Sequence, residues 1–223
     1  MDITRALFEK HLQELKQDVL ELGSMVEKAV YRAVDSLKRR DTEASRQIIM
    51  DDVRINEKRF QVEEKCLHLL ATQQPMAADL RLIFAVLHIT VDLERMGDHA
   101  EGIARINVRM GSEPPLKPLI DIPRMADKAR EMTRRALQAF INLDVEEAKR
   151  ICLEDDEVDQ LNDQVFRELI TFMLQDPSTI NRATYLIWVA HNLERIADRS
   201  TNIAERVVFT VTGKMEEIGV SKY

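Results

Sequence analysis

The sequence repeats itself once, and that repeat constrains the architecture more tightly than any local propensity. At an offset of 103 residues Ala33 meets Ala136, Leu37 meets Phe140, Asp41 meets Asp144, Ile48 meets Ile151, Asp52 meets Asp155, Ile55 meets Val158 and Asn56 meets Asp159. The offset falls to 102 where Pro75 meets Pro177, and to 100 where LERMGD at 93–98 meets LERIAD at 193–198. Ile103 and Ala104 then face Ile203 and Ala204. Two related units follow, residues 1–110 and 119–223, joined by the Gly- and Pro-containing linker 111–118.

Each unit reads as helical. Only 6 Gly, 6 Pro and 5% aromatic residues interrupt a chain in which Ala, Leu, Glu, Arg, Lys and Met recur, a helix-forming mixture. Breakers cut it into six stretches. The first covers 3–39 and ends at Arg39-Arg40, before Asp41 as the next N-cap. The second runs to Thr72, where GlnGlnPro at 73–75 stops it, and the third opens at Pro75 and passes Ile106. The fourth covers Leu119 to Ile141. Asp144 with Glu147 makes a capping box for the fifth, and Asp176-Pro177 separates that from the sixth. The polar tail after Gly213 reads as frayed. Short connections make neighbouring helices antiparallel, so the fold class is all-α: two tandem, sequence-related three-helix bundles of six long helices.

Charge and hydropathy exclude several functions. The chain has 32 basic and 39 acidic residues, a net charge of −7, and its positive residues are interleaved with carboxylates, which argues against nucleic-acid binding. No apolar run approaches the roughly 18 residues needed to span a bilayer, so the expectation is a cytoplasmic protein without direct membrane insertion. Cys66 and Cys152 stand alone and read as buried, inert thiols. The methionines, Phe84, Phe172 and Trp188 read as core filler. No phosphate loop, nucleophile elbow or nucleophile beside a base is present, so no enzyme activity is expected.

Chemistry concentrates in four pairs of oxygen-bearing side chains four residues apart: Asp52 with Asn56, Glu94 with Asp98, Asp155 with Asp159, and Glu194 with Asp198. That spacing puts each pair on one helix face, where like charges repel unless a cation offsets them. Antiparallel helices bring together residues equally far from their turn. Asn56 and Asp52 lie 18 and 22 residues before Gln74, and Glu94 and Asp98 lie 20 and 24 after it. Asp159 and Asp155 lie 17 and 21 before Asp176, and Glu194 and Asp198 lie 18 and 22 after it. Each hairpin thus offers four oxygen-rich side chains at one height, a set suited to Mg, Ca, Mn or iron and less natural for Zn without Cys or His. Two other readings stand beside this one. The acids form a charged face neutralised by Arg95, Arg195 and their like, or they serve a carboxylate-bridged metal enzyme, against which no Glu-x-x-His motif is found. His99, whose counterpart is Arg199, reads as a supporting or surface group, and His88 with Asp92, and His191 beside Asn192, read as ordinary partly buried histidines.

QPMAADLR at 74–81, LERMGDHAEGIA at 93–104 and LERIADRSTNIA at 193–204 resemble the PhoU family, regulators associated with phosphate-specific ABC transporters, along nearly the whole chain. The resemblance implies a cytoplasmic, often dimeric protein that binds multinuclear metal clusters, iron foremost, through these acidic motifs. It also implies contacts with the sensor histidine kinase of the phosphate regulon and with the ATPase subunit of the phosphate transporter, restraining kinase output when phosphate is plentiful. Glu94, Asp98, Glu194 and Asp198 match the signature, and Asp52, Asp155 and Asp159 match acidic positions of the preceding helix. Asn56 departs from a carboxylate, which implies weaker or different metal binding in the first repeat.

Overall fold

The computed structural model describes residues 3–218 other than Ser112. The helices are α1 (Ile3–Arg39), α2 (Thr42–Gln73), α3 (Ala78–Met110), α4 (Asp121–Asn142), α5 (Val145–Glu154), α6 (Asp156–Gln175) and α7 (Ile180–Thr212), with a short 3₁₀ turn at Pro177–Thr179 before α7. The six expected rods are present. The fifth is divided at Asp155 into α5 and α6, and the third begins at Ala78, because Gln74 and Ala77 take positive φ (45° and 48°) around Pro75. Residues 214–218 form no helix, yet Ile218 N–H donates to Glu205 at 2.9 Å, so this part of the tail is tied down. The expectation of fraying for 219–223 lies outside the described residues.

The two α1–α2 and α4–α5 corners are built alike. Asp41 accepts from Ala44 N–H at 2.8 Å and Asp144 from Glu147 N–H at 3.0 Å, the two N-caps expected. Arg40 and Leu143 occupy the left-handed region (φ 60° and 55°), and Asp41 and Asp144 N–H groups reach back to Ser36 and Ala139 carbonyls at 2.8 and 2.9 Å. This is the Schellman closure that ends a helix and satisfies its last carbonyls.

The apolar stripe of α1, from Leu12 through Leu15, Val19, Leu22, Val26, Val30 and Ala33 to Leu37, follows helical spacing and is buried throughout, as an amphipathic helix demands. Within the first repeat α1, α2 and α3 pack together, and within the second α4, α5, α6 and α7. The repeats are not separate cores. α3 packs along α7 and α1 along α4, and one continuous hydrophobic cluster runs through both. Gly23 permits the α1–α4 approach, since a Cβ there would lie 2.2 Å from Leu137 Cδ1.

Several expected core residues lie elsewhere. Trp188 is 45% exposed, stacking edge-on with Tyr185, and Met50, Met76 and Met215 are exposed. Phe84 and Phe172 are half-buried, and His88 and His191 are exposed. Met96, Met125 and Met132 do fill the core. Cys66 and Cys152 are buried free thiols, pushed up to about 12 by burial.

Candidate metal centre

In the second repeat α6 and α7 run side by side. One carboxylate oxygen from each of Asp155, Asp159 and Asp198 lies within 4.8 Å of the others. Two oxygens bound trans to one ion at ~2.0–2.4 Å stand ~4.0–4.8 Å apart, so the cluster has the dimensions of a hard-cation site. Two oxygens are conspicuous: Asp155 Oδ1 in this cluster and Glu194 Oε2, one turn before Asp198 on α7, are buried with no hydrogen-bond partner. Glu194 Oε2 stands 3.1 Å from His191 Nδ1, in an orientation that makes no hydrogen bond. Buried polar atoms are almost always paired, and an unpaired carboxylate oxygen among other carboxylates is what a cation would satisfy.

The electrostatics agree. Burial first, then Asp198, Asp159 and Glu194, push Asp155 up to about 7. Burial and Asp198 push Glu194 up to about 7 as well, and burial with Asp198 raises Asp159. Among the described residues the one Lys or Arg in contact is Arg195, whose Nη1 donates to Asp198 Oδ2 at 2.6 Å.

The first-repeat group sits between α2 and α3 and is more fully answered by protein groups. Asn56 Nδ2 donates to Asp52 Oδ2 at 2.9 Å, and Arg59 Nη1 to Glu94 Oε1 at 3.0 Å. Burial pushes Asp52 up to about 6, and the neighbouring charge that adds most is Glu101, ahead of Asp98 and Glu94. Burial and then Glu101 also raise Asp98. Glu101 lines a 160 Å³ cavity with Asp51, Asp52 and Gly97, and it is paired to Arg105. Sequence reasoning missed it. Glu94, Asp98 and Glu101 share a face at i, i+4 and i+7, but comparing repeats hid the third, whose counterpart is Thr201. Glu101 adds a carboxylate beside Asp52, but Arg105 pairs with it, and among the described residues no three acids of this repeat bring oxygens within 4.8 Å of one another.

Helix contact beside both groups is conserved in volume. A Cβ on Gly97 would meet Ile55 at 3.1 Å, while the matching positions hold Ala197 and the smaller Val158, both buried. One methylene has moved from one helix to the other.

His99 stays out of the first group. Its Nδ1 meets Asn192 Oδ1 across the α3–α7 joint at 2.9 Å, and burial lowers its pKa. Arg199 faces the other way, donating to Asp92 Oδ1 at 3.3 Å, where Asn202 also donates at 3.2 Å.

A family model described as PhoU domain matches residues 19–106 and 122–207. The chain belongs to the PhoU family. Each PhoU match encloses one acidic group. The "Phosphate-specific transport system accessory protein PhoU homolog" of Clostridium acetobutylicum is 37% identical over 217 residues, covering 97% of this chain and 99% of that protein. The homologue from Aquifex aeolicus is 38% identical over 186 residues, covering 83% and 84%. Among solved structures, PhoU from Pseudomonas aeruginosa superposes with a TM-score of 0.88 at 34% identity, over 93% of this chain and all (100%) of that one. The phosphate transport system regulatory protein PhoU of Streptococcus pneumoniae gives 0.88 at 31% identity, over 95% and 100%. The family places the chain among accessory and regulatory proteins, not enzymes. No helix among the described residues is long and apolar enough to cross a membrane.

Proposed function

We propose that the chain is a cytoplasmic regulator of phosphate uptake and phosphate-regulon signalling, a metal-binding adaptor without catalysis. The observation that carries the reading is the family match in both repeats, extending over nearly the full length of relatives named as accessory proteins of phosphate-specific transport. Its partners are the sensor histidine kinase of the regulon, the ATPase subunit of the transporter and a second copy of itself.

The unpaired oxygens of Asp155 and Glu194 support metal binding by Asp155, Asp159, Glu194 and Asp198. There a cation would neutralise mutually repelling acids and hold α6 against α7, stabilising the fold by mass action. All-oxygen donors suit iron, Mn, Mg or Ca better than Zn. At Asp52, Asn56, Glu94 and Asp98 a second reading has its own support: Arg59 on Glu94 and Arg105 on Glu101 already supply positive charge. The first-repeat site is accordingly the weaker one.

Elemental analysis of untagged protein purified without chelator tests the metal, against a variant with Glu94, Asp98, Glu194 and Asp198 changed to Ala. Bound metal that disappears in the variant is expected; metal in neither would reduce the acids to a charged face. A phosphate-regulon reporter tests the regulation. Deleting the gene should leave the reporter active in ample phosphate, and a reporter that stays silent would remove the regulatory reading.

A further inference from the structure

Far from the acidic clusters, near the open end of the α1–α2 hairpin, His11 and Glu14 lie one turn apart on α1, and Glu64 and His68 one turn apart on α2. All four line one cleft of 520 Å³ floored by Leu15 and Leu69. The antiparallel pairing places them level: counted from the corner at Arg40-Asp41, the two pairs stand about 35–45 Å up their helices at 1.5 Å per residue. We propose that these four side chains form a zinc-type metal site, distinct from the carboxylate clusters in position and in donor chemistry.

Three observations converge on it. His11 Nδ1 is buried and makes no hydrogen bond, so the imidazole that lines the cleft carries a ring nitrogen with no protein partner. Lys65, among the described residues the one Lys or Arg lining the cleft, is drawn away, its Nζ bound to Asp18 Oδ2 at 2.6 Å. The donor set is two imidazoles and two carboxylates, which matches a borderline divalent ion in tetrahedral coordination and neutralises its charge. The spacings i, i+3 and i, i+4 on facing helices put two donors from each helix on the same side. The side chains are not yet gathered: among the described residues the donors within 4.8 Å of one another are those of Asp155, Asp159 and Asp198. Binding therefore takes side-chain rotation, and Glu14, Glu64 and His68 are exposed and free to rotate. At the offset of 103 residues Glu14 falls on Lys117 of the linker, and Glu64 and His68 fall on Arg167 and Thr171 of the second repeat, so the site belongs to the first repeat alone.

Cobalt(II) reports coordination directly, because tetrahedral sites with nitrogen donors absorb strongly in the visible and six-coordinate oxygen sites do so weakly. Untagged full-length protein with Asp155, Asp159, Glu194 and Asp198 changed to Ala, which silences the acidic cluster, is titrated with Co²⁺ and then Zn²⁺. One equivalent of Co²⁺ should bring up tetrahedral bands that Zn²⁺ removes. His11→Gln with His68→Gln should abolish them, and Glu64→Gln alone should weaken binding at least tenfold. In the same background Zn²⁺ should also raise the melting temperature of the protein that keeps both histidines and not of the double His variant. Tetrahedral bands that never form, or that persist in the double His variant, would overturn the proposal; unchanged melting of that variant without metal keeps a folding defect from being mistaken for lost binding.

Discussion

Asp155 and Glu194 each hold a carboxylate oxygen away from water and from any donor, and the folded state bears that cost only when they ionise. In the unfolded chain they titrate near 3.8 and 4.5, and in the fold near 7. Across that window the folded state holds more protons, so their contribution to stability is present at low pH and is lost as pH rises through about 7. Asp52, at about 6, adds in the same direction. Carboxylates that cations hold low, such as Asp18 beside Lys65 and Lys58, act below this range, and His99 acts oppositely below its ordinary 6.5. The clean readout is thus a difference between proteins. In chelator, the melting temperature of the wild type relative to Asp155→Asn/Glu194→Gln should fall between pH 5 and pH 8. With Mn²⁺ present the trend should reverse, because protons and metal then compete for the same oxygens. Calorimetry at four pH values decides it, and a relative melting temperature that climbs with pH in chelator would refute the assignment. The paired acids were legible in the sequence from spacing and repetition. Which oxygens remain unpaired was not, since that depends on rotamers and on where Arg195, Arg59 and Arg105 reach.

Most helix ends were also legible, because Asp41, Asp144, Pro75 and Pro177 act through local backbone chemistry. The break at Asp155 was not, although α2 passes the matching Asp52 unbroken. Its cause is composition: where α2 has Val53 and Arg54, the second repeat has Asp156 and Glu157, acids that favour a helix start over a helix interior. A second hidden difference lies inside the first corner. Asn107 Nδ2 donates to Ser45 Oγ at 2.8 Å and to the Ser36 carbonyl at 3.1 Å, and the two serine hydroxyls meet at 2.9 Å, all buried. The matching residues of the second repeat are Ala148, Ala139 and Val207, also buried. The polar group is thus present or absent as a unit, as expected when leaving one partner unpaired costs more than removing all. Asn107→Val alone should destabilise by about 1–3 kcal/mol. The triple variant Ser36→Ala/Ser45→Ala/Asn107→Val should recover to within about 1 kcal/mol of wild type. Urea unfolding measures both, and a triple variant no more stable than the single would show that the second corner is not a working substitute for the first.

At the scale of the whole molecule the repeats are joined along α3 and α7 by two contacts that are copies of each other. His99 on α3 meets Asn192 on α7, and Arg199 on α7 meets Asp92 on α3; at the offset of 100 residues that aligns the two signature motifs, each partner of one contact is the counterpart of the other's. The sequence sets His99 against Arg199 with no reason for the difference visible at that position. The explanation needs two positions at once: the charged Arg goes with a charged Asp, the neutral amide with an imidazole. Buried Asp92 keeps a raised pKa because burial outweighs Asn202 and Arg199, so the charged version is the more costly one to break. Arg199→His alone leaves that carboxylate with Asn202 as its remaining donor, and Asp92→Asn alone leaves a guanidinium without its anion. Each should cost about 2–4 kcal/mol, somewhat less than a fully buried pair because both groups keep some solvent. Asp92→Asn/Arg199→His rebuilds the Asn–His contact already used on the other side, and should be at least about 1 kcal/mol more stable than the sum of the singles implies. A double-mutant cycle by denaturant unfolding reads that coupling, and additivity would mean that the two contacts merely look alike. Coupling would tie the joint to the sites, since Arg199 and His99 directly follow Asp198 and Asp98, so the turn that presents a carboxylate to a cluster also fixes one repeat against the other.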